Sequence, residues 1–164
     1  MRFLPIFLLL TACATGKNQK PESWLFVQNA ERAEIHGKKL TLTGVGPTVI
    51  CFTDRPERKT GTIPTEKFLT GWTKKSGVFV EDPPNATLSI FGADGVSDLV
   101  VVLRNPKLDG RTLTYDIEVL EGKPGPSGPA ALFIDSVGSG NPVIRHGMHD
   151  EPGVILRRGM HLVR

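Results

Sequence analysis

The sequence predicts an all-β fold: a small antiparallel, sandwich-like or barrel-like domain with one short helix and a flexible C-terminal tail. The chain has 164 residues, enough for one ordinary domain, and 39% of them are hydrophobic, enough for a core. Its 18 glycines and 13 prolines favour many turns over long helices. Successive strand-like segments begin about a dozen residues apart, a spacing typical of sandwiches and barrels.

The first half of the expected domain contains strand patterns and one helix pattern. Residues 24–27 are a short apolar run of strand formers. Residues 34–43 predict a β-hairpin, because leucines alternate with threonines after a turn that contains Gly37. Residues 49–53 continue the β pattern. Residues 64–72 predict a helix, since proline suits the first helical position and an apolar stripe follows at Phe68, Leu69 and Trp72.

The second half alternates strand patterns with turn signals. Asp94 and Asp109 each precede a glycine, and Asp-Gly pairs tolerate the positive φ angles of tight hairpins. The cleanest alternation predicts a strand with one buried face, formed by Leu113, Tyr115, Ile117 and Val119. The predicted strands of this half are residues 77–80, 86–91, 99–103, 113–119 and 130–135, the last being the final strand of the domain.

The N-terminal segment resembles the precursor of a bacterial lipoprotein. Arg2 precedes an apolar stretch at residues 3–10, which is far shorter than the roughly 20 residues of a membrane span and predicts a signal peptide. The stretch ends in Leu10-Thr11-Ala12-Cys13, which resembles a lipobox. The resemblance implies that residues 1–12 are removed and that acylated Cys13 anchors the protein to a lipid bilayer.

This interpretation predicts the compartment and the division of the chain. Ala14 stands where an aspartate would indicate retention in the inner membrane, so the expected location is the periplasmic face of the outer membrane. An ordinary secretory signal with an unrelated cysteine is the alternative. The expected parts are a signal peptide at residues 1–12, a tether at 13–23, a β domain at 24–135 and a basic, mobile tail at 136–164.

Five further segments carry a second resemblance. In their order and their amino-acid sequence they are similar to an uncharacterised family of secreted bacterial β domains, over about residues 24–135. The resemblance implies a secreted β domain with these limits and implies no activity. The segments are WLFVQ at residues 24–28, DRPER at 54–58, PPNATL at 83–88, VVLRNP at 101–106 and LFID at 132–135.

Charge argues against nucleic acid as a partner. The whole chain has a formal net charge of only +3. Residues 13–135 contain equal numbers of acidic and basic residues, so the remaining excess lies in the tail at Arg145, Arg157, Arg158 and Arg164. A neutral domain lacks the basic patch by which proteins bind nucleic acid.

Cys51 is predicted to be a buried structural thiol and not a nucleophile. It lies in a strand-like run without a histidine at catalytic spacing, and free cysteine packs as a small hydrophobe. If Cys13 carries lipid, Cys51 has no disulfide partner in the chain. His36 is expected on the surface at a hairpin tip, and Trp24 and Trp72 are expected in the core.

The sharpest cluster of chemically active side chains lies in the tail. Thioether sulfur suits Cu(I), and imidazole suits copper or zinc, so a flexible strip of both types outside the cytoplasm predicts copper capture. A solvated basic tail in which these residues cluster by chance is the preferred interpretation of the cluster. The Met/His strip consists of His146, Met148, His149, Met160 and His161.

Two further candidate sites are ionic. Arg55 and Arg58 follow a strand and are suited to clamp a carboxylate or phosphate, although ion pairing within the domain is the preferred interpretation. Asp94, Asp98 and Asp109 are candidate Ca²⁺ ligands. Calcium requires six or more oxygens, however, and turn chemistry explains Asp94 and Asp109 without an ion.

The sequence contains no nucleophile elbow, zinc-protease motif or phosphate-binding loop. The preferred function is therefore a non-catalytic accessory or binding domain, anchored to the envelope through Cys13 and partnered by another envelope protein. The alternative is a periplasmic copper-binding lipoprotein that uses the Met/His strip. A hydrolase with an unrecognised carboxylate site is a third interpretation.

Overall fold

The computed structural model describes residues 23–53, 58–73, 77–136 and 155–158. The predicted all-β class with one short helix is confirmed. The strands in these residues are β1 (Trp24–His36), β2 (Lys39–Thr43), β3 (Thr48–Thr53), β4 (Lys59–Pro64), β5 (Asn85–Gly92), β6 (Gly95–Asp109), β7 (Thr112–Gly122), β8 (Gly128–Ser136) and β9 (Ile155–Arg158). The helix α1 (Thr65–Thr73) and the single helical turn α2 (Val78–Glu81) lie between β4 and β5.

Six of the strands close into a ring. All pairings are antiparallel, and the order β2-β7-β6-β5-β8-β1 is closed by a further pairing of β1 with β2. The long β1 makes this closure, because residues 24–33 pair with β8 while residues 32–36 pair with β2. Of the two architectures that the sequence predicted, sandwich-like and barrel-like, the closed ring corresponds to the barrel-like one. β3 and β4 extend the sheet from residues 24–27 of β1.

Three of the hairpins have the turns that the sequence predicted. Residues 37–38, 93–94 and 110–111 are two-residue loops between strands that are paired up to the turn. Gly37 and Gly110 have φ angles of 59° and 57°, which glycine adopts without the steric cost that a Cβ adds. These short turns fix the register of the hairpins and therefore which residues face the core.

The core lies inside the ring and beneath α1. The inward-facing residues of the ring strands include fully buried leucines, and α1 contacts β3, β4 and β6. Phe68 of α1 lies against Phe26 of β1, with ring centroids 4.9 Å apart. The helix therefore covers the inner side of the strands that extend beyond the ring.

The predicted helix is confirmed as α1, but it begins one residue later than expected. Pro64 is the last residue of β4 and pairs with Thr48, so it is not the first helical residue. The Thr65 N–H donates to the Pro47 carbonyl at 2.9 Å, and the Thr65 hydroxyl donates to the Gly46 carbonyl at 2.8 Å. β4 itself was not predicted, because its KTGTIP sequence contains no sustained alternation.

The strand predicted for residues 77–80 is wrong, because this segment forms α2. The Val80 N–H donates to the Gly77 carbonyl at 3.0 Å, which closes a helical turn. Phe79 is buried on Trp72 with ring centroids 4.3 Å apart, while Val80 is exposed. Packing on α1 therefore decided the conformation of an apolar run too short to specify its own.

The alternation predicted for β7 holds from Leu113 to Ile117 and fails at Val119, which is 40% exposed. The register between β6 and β7 shifts between Val100 and Val101, so β7 carries one residue more than its partner at this point. Such a β-bulge bends the strand and interrupts its period of two. Val119 still lies opposite the buried Val101, so the bulge at Leu120 does not itself turn Val119 outward; both Val119 and Leu120 lie at the surface near the end of β7.

β9 adds a strand after the one predicted to be final. Ile155–Arg158 pairs antiparallel with residues 59–62 of β4. The sequence predicted no strand in the tail, because these four residues belong to a short run between Gly153 and Gly159 and carry no period of two. The tail residues 137–154 and 159–164 lie outside the described residues, so their predicted mobility stays a prediction.

Candidate functional site

Most residues of the predicted sites lie outside the described residues. Arg58 is an exception: it lies exposed between β3 and β4, and its φ of 46° is in the left-handed region that few non-glycine residues adopt. Lipidation, copper binding and the arginine clamp therefore stay predictions. The residues outside the described ranges are Cys13, Arg55, His146, Met148, His149, Met160 and His161.

The predicted buried thiol is confirmed at Cys51. It lies in β3 opposite Phe26 and Gly61 and is fully buried. Burial raises the pKa of the Cys51 thiol to about 11, because the thiolate would lose its hydration. Cys51 is thus a neutral thiol at neutral pH and packs as part of the core, which makes it a poor nucleophile and a poor metal ligand.

The predicted surface position of His36 is confirmed at the β1–β2 hairpin. Its side chain is 83% exposed, and its Nε2 lies 3.9 Å from Oε2 of Glu34. Arg32 donates a hydrogen bond to Glu34 Oε1 at 2.7 Å, which lowers the pKa of the Glu34 carboxyl. These charges are in contact with water, so they stabilise the hairpin little and form a surface cluster.

The aspartates considered as calcium ligands are not brought together. Asp94 precedes the 15-residue β6 and Asp109 is its last residue, so the two are separated by roughly 50 Å along the strand. Asp98 accepts a hydrogen bond from the Ser89 hydroxyl at 2.6 Å. Among the described residues, no three His, Cys, Asp or Glu side chains are grouped as metal ligands.

An aromatic cluster fills the space between the helices and the ring. Trp24 is buried as predicted, and Trp72 packs against the core and donates from Nε1 to the Leu103 carbonyl at 3.3 Å. Trp72 also contacts the rings of its neighbours at centroid distances between 4.3 and 5.8 Å. The aromatic cluster comprises Phe26, Phe68, Trp72, Phe79 and Tyr115.

A buried polar pair lies next to this cluster. The Tyr115 hydroxyl donates to Gln28 Oε1 at 3.3 Å, and both side chains are almost fully buried. The amide Nε2 of Gln28 has no hydrogen-bond partner. Burial raises the pKa of the Tyr115 phenol well above its ordinary value. The pair is therefore neutral and enclosed, which suits a structural role better than acid–base chemistry.

The outer side of the extended sheet carries an apolar surface, which we call the outer face. Its residues follow from register, because residues directly opposite on antiparallel strands point to the same side. Val27 of β1 lies opposite Ile50 of β3 and Phe133 of β8, and Leu25 lies opposite Phe52. Ile50 and Phe133 are 45% and 43% exposed. The outer face thus joins five apolar side chains across three adjacent strands.

Among the described residues, the positions next to the outer face are mostly uncharged. On β8, Asp135 lies opposite Leu25, and one of its carboxylate oxygens, Oδ1, is buried without a hydrogen-bond partner. The neighbouring positions on β4 are Thr60 and Thr62, and the position beside Phe133 on β5 is Thr87. The apolar centre is therefore bordered mainly by threonines, with Asp135 of β8 at one end of a cross-strand row and Arg157, opposite Thr60, at the other. A mainly apolar centre with a polar rim is suited to contact another apolar surface.

Sequence reasoning missed the outer face, although a signal for it was present. Residues 24–27 and 49–52 are continuously apolar, and such runs indicate strands whose two sides are both apolar. The runs were assigned only to the core. Which side of β1 faces outward depends on its pairing with β8, which lies more than 90 residues later in the sequence, and β3 follows β1 through its own pairing.

None of the described residues forms a helix long and apolar enough to cross a membrane. The tether that the sequence predicts would join the domain at Trp24, beside the outer face. Comparisons with protein-family models, with curated proteins and with solved structures find no match to this chain.

Proposed function

We propose that this chain is an envelope-anchored lipoprotein whose β domain is a non-catalytic accessory or binding module, and that its outer face binds an apolar surface of another envelope protein. The observation that carries the proposal is the exposure of Ile50 and Phe133 within a patch of apolar neighbours. Contiguous exposed apolar patches on soluble domains commonly mark interaction sites. The apolar centre of the patch, with threonines at its border, favours a protein surface over an anionic ligand.

The tether supports this proposal through its length and its point of attachment. Residues 13–23 span at most about 40 Å when extended, so a domain anchored at Cys13 stays close to the bilayer. The tether would enter the fold at Trp24, the neighbour of Leu25. An anchor at this point restricts the outer face to partners at or near the membrane, which raises their effective concentration.

The anchor is tested by mass spectrometry of the N-terminal peptide from the protein purified out of native membranes. We expect the peptide to begin at Cys13 and to carry acyl chains. The Cys13→Ser variant should lack the acyl chains and leave the membrane fraction. An N-terminus at Cys13 without lipid, or a Cys13→Ser variant that stays in the membrane fraction, would contradict the anchor.

The outer face is tested with two phenylalanine variants of equal exposure. Phe133→Ser removes an aromatic ring from the outer face, whereas Phe91→Ser removes a ring that is 46% exposed near the β5–β6 turn. Chemical crosslinking in native membranes should give one defined adduct with the parent chain. We expect Phe133→Ser to reduce this adduct at least about tenfold and Phe91→Ser to preserve it. Equal loss in both variants would argue against the outer face.

Copper binding is the second candidate, and the Met/His strip is the observation that favours it. Calorimetric titration of the full chain with Cu(I) and Cu(II) distinguishes the two functions. If the strip holds copper, replacing His146 and His149 with alanine should abolish the heat of binding, because imidazole supplies two of the expected ligands. The same heat with and without residues 140–164 would rule out this candidate.

A further inference from the structure

The outermost strand of the extended sheet offers a backbone edge that a short strand of the same chain occupies. β4 pairs with β3 on one side, and residues 59–62 pair with Ile155–Arg158 on the other. The N–H and C=O groups along an edge strand can pair with any extended segment of matching geometry. Occupation of β4 by β9 therefore shows that this edge accepts an antiparallel strand.

Hydrogen bonding at the start of β4 identifies which groups face β9. The Lys59 N–H donates to the Thr53 hydroxyl at 2.9 Å, so it points towards β3. Successive residues of a strand direct their backbone groups to opposite sides, which places the N–H and C=O of Thr60 and Thr62 on the side of β9. We call the backbone groups of residues 60–62 on this side the accepting edge. Pro64 is the next residue whose backbone would point towards β9, and it has no N–H, so the accepting edge ends before it.

β9 is attached to this edge less firmly than the ring strands are attached to one another. It forms four residue pairs, whereas β5 and β6 form eight pairs and are joined by a two-residue turn. Residues 137–154 separate β9 from β8 in the sequence. A short strand at the end of a long connection binds as a tethered ligand does, and its occupancy depends on effective concentration.

The side chains along the accepting edge are small. Thr60, Gly61 and Thr62 lie opposite Arg157, Leu156 and Ile155, and Gly61 has no side chain to project above or below the sheet. Glycine within a strand commonly marks a place where another backbone approaches closely. Recognition at this edge therefore depends mainly on the main chain, and it selects an extended conformation more than a particular sequence.

We infer that residues 60–62 of β4 form a strand-addition site for an extended peptide segment, and that β9 is its built-in competitor. The ligand is an antiparallel peptide strand that exchanges backbone hydrogen bonds with Thr60 and Thr62. Release of β9 opens the site, and its return closes the site. This inference depends neither on the lipid anchor nor on the outer face.

Amide exchange in two proline variants of the full chain tests the occupancy of the edge. Ile155→Pro removes the N–H that pairs with Thr62, whereas Leu156→Pro removes an N–H that points away from β4. We expect the Thr60 and Thr62 amides to exchange at least about tenfold faster in Ile155→Pro than in the parent chain. In Leu156→Pro both amides should keep most of their protection, which controls for the effect of proline itself.

Peptide binding tests the accepting edge directly. A fluorescent peptide of residues 153–160 should bind the Ile155→Pro chain with a Kd at least about tenfold lower than its Kd for the parent chain. In the parent chain, β9 competes with the peptide for the edge of β4. The same peptide with proline at position 155 should bind neither chain. Equal exchange in the parent and Ile155→Pro, or peptide binding that is absent or the same in both chains, would overturn the inference.

Discussion

At the scale of single residues, the amide of Gln28 is a costly feature of the core. Its Nε2 is buried without a partner, and its Oε1 receives one long hydrogen bond from Tyr115. A buried polar atom without a partner costs about 1–3 kcal/mol, more than a single neutral hydrogen bond returns. The pair therefore specifies the relative positions of the β1 and β7 side chains in the core, and it lowers the free energy of unfolding in doing so.

A double-mutant cycle measures this cost. Tyr115→Phe should destabilise the fold by about 1–2 kcal/mol, because it leaves Oε1 of Gln28 unpaired as well as Nε2. Combining it with Gln28→Leu removes both polar partners, so the double variant should be more stable than Tyr115→Phe alone. Urea unfolding of the parent, both single variants and the double variant gives the free energies of unfolding. Strictly additive losses would contradict this account.

At the scale of elements, the hairpin of β6 and β7 contains two irregularities that shape the ring. The register shifts between Arg104 and Lys107, where Asn105 has a φ of 48°, and again between Val100 and Val101. Asparagine tolerates left-handed backbone better than most residues. These bulges bend two long strands, and bending is necessary for strands that take part in a closed ring.

The end of β7 depends on a glycine that no other residue can replace easily. Gly122 has a φ of 89°, and a Cβ at this position would overlap the carbonyl oxygen of Asp98. Gly122→Ala should therefore lower the free energy of unfolding by at least about 3 kcal/mol. Gly110→Ala is the matched control, because its φ is 57° and a Cβ there meets no atom within 4 Å.

The control should cost about 1–2 kcal/mol, since only the left-handed backbone opposes its Cβ. Chemical denaturation of Gly122→Ala and Gly110→Ala under identical conditions compares the two losses. Equal losses would mean that backbone conformation alone, and not the approach of β6, makes glycine necessary at the end of β7.

At the scale of the whole molecule, one core unites the ring and the strands that extend beyond it. The buried cluster includes Trp24 and Phe26 of β1, Cys51 of β3, Ile63 of β4 and Phe68 of α1. β1 contributes to both parts, because it pairs with β2, β3 and β8. Shared side chains of this kind make separate unfolding of either part costly.

We therefore expect residues 24–136 to unfold in a single cooperative transition. Trp24 reports on β1, Trp72 reports on α1, and far-ultraviolet circular dichroism reports on the sheet. Fluorescence of single-tryptophan variants and circular dichroism should give the same urea midpoint. A lower midpoint for Trp72 would show that α1 detaches before the ring opens.

The function proposed here also belongs to the whole molecule. The outer face, the accepting edge of β4 and the point at which the tether would join all lie in the same part of the sheet, since Trp24 pairs with Thr53 and Ser136. The opposite end of the ring carries exposed ion pairs such as that between Arg111 and Glu31. The outer face is thus suited to partners, whereas these ion pairs lie in contact with water.

The sequence by itself determined those features that depend on neighbouring residues. Gly37 and Gly110 specified tight hairpins, because glycine accepts left-handed backbone. Alternation specified the buried side of β7 from Leu113 to Ile117, and α1 followed from its apolar stripe. The burial of Cys51 followed from its place in an apolar strand.

Only the tertiary structure decided those features that depend on distant residues. Residues 77–80 are helical because Phe79 packs on Trp72, and β4 exists because β3 lies beside it. The exposure of Phe133 depends on its pairing with Val27, which is distant in sequence. Local propensity and the alternation of apolar and polar residues describe each strand separately. The closure of the ring, the outer face and the accepting edge depend instead on which strands pair with one another.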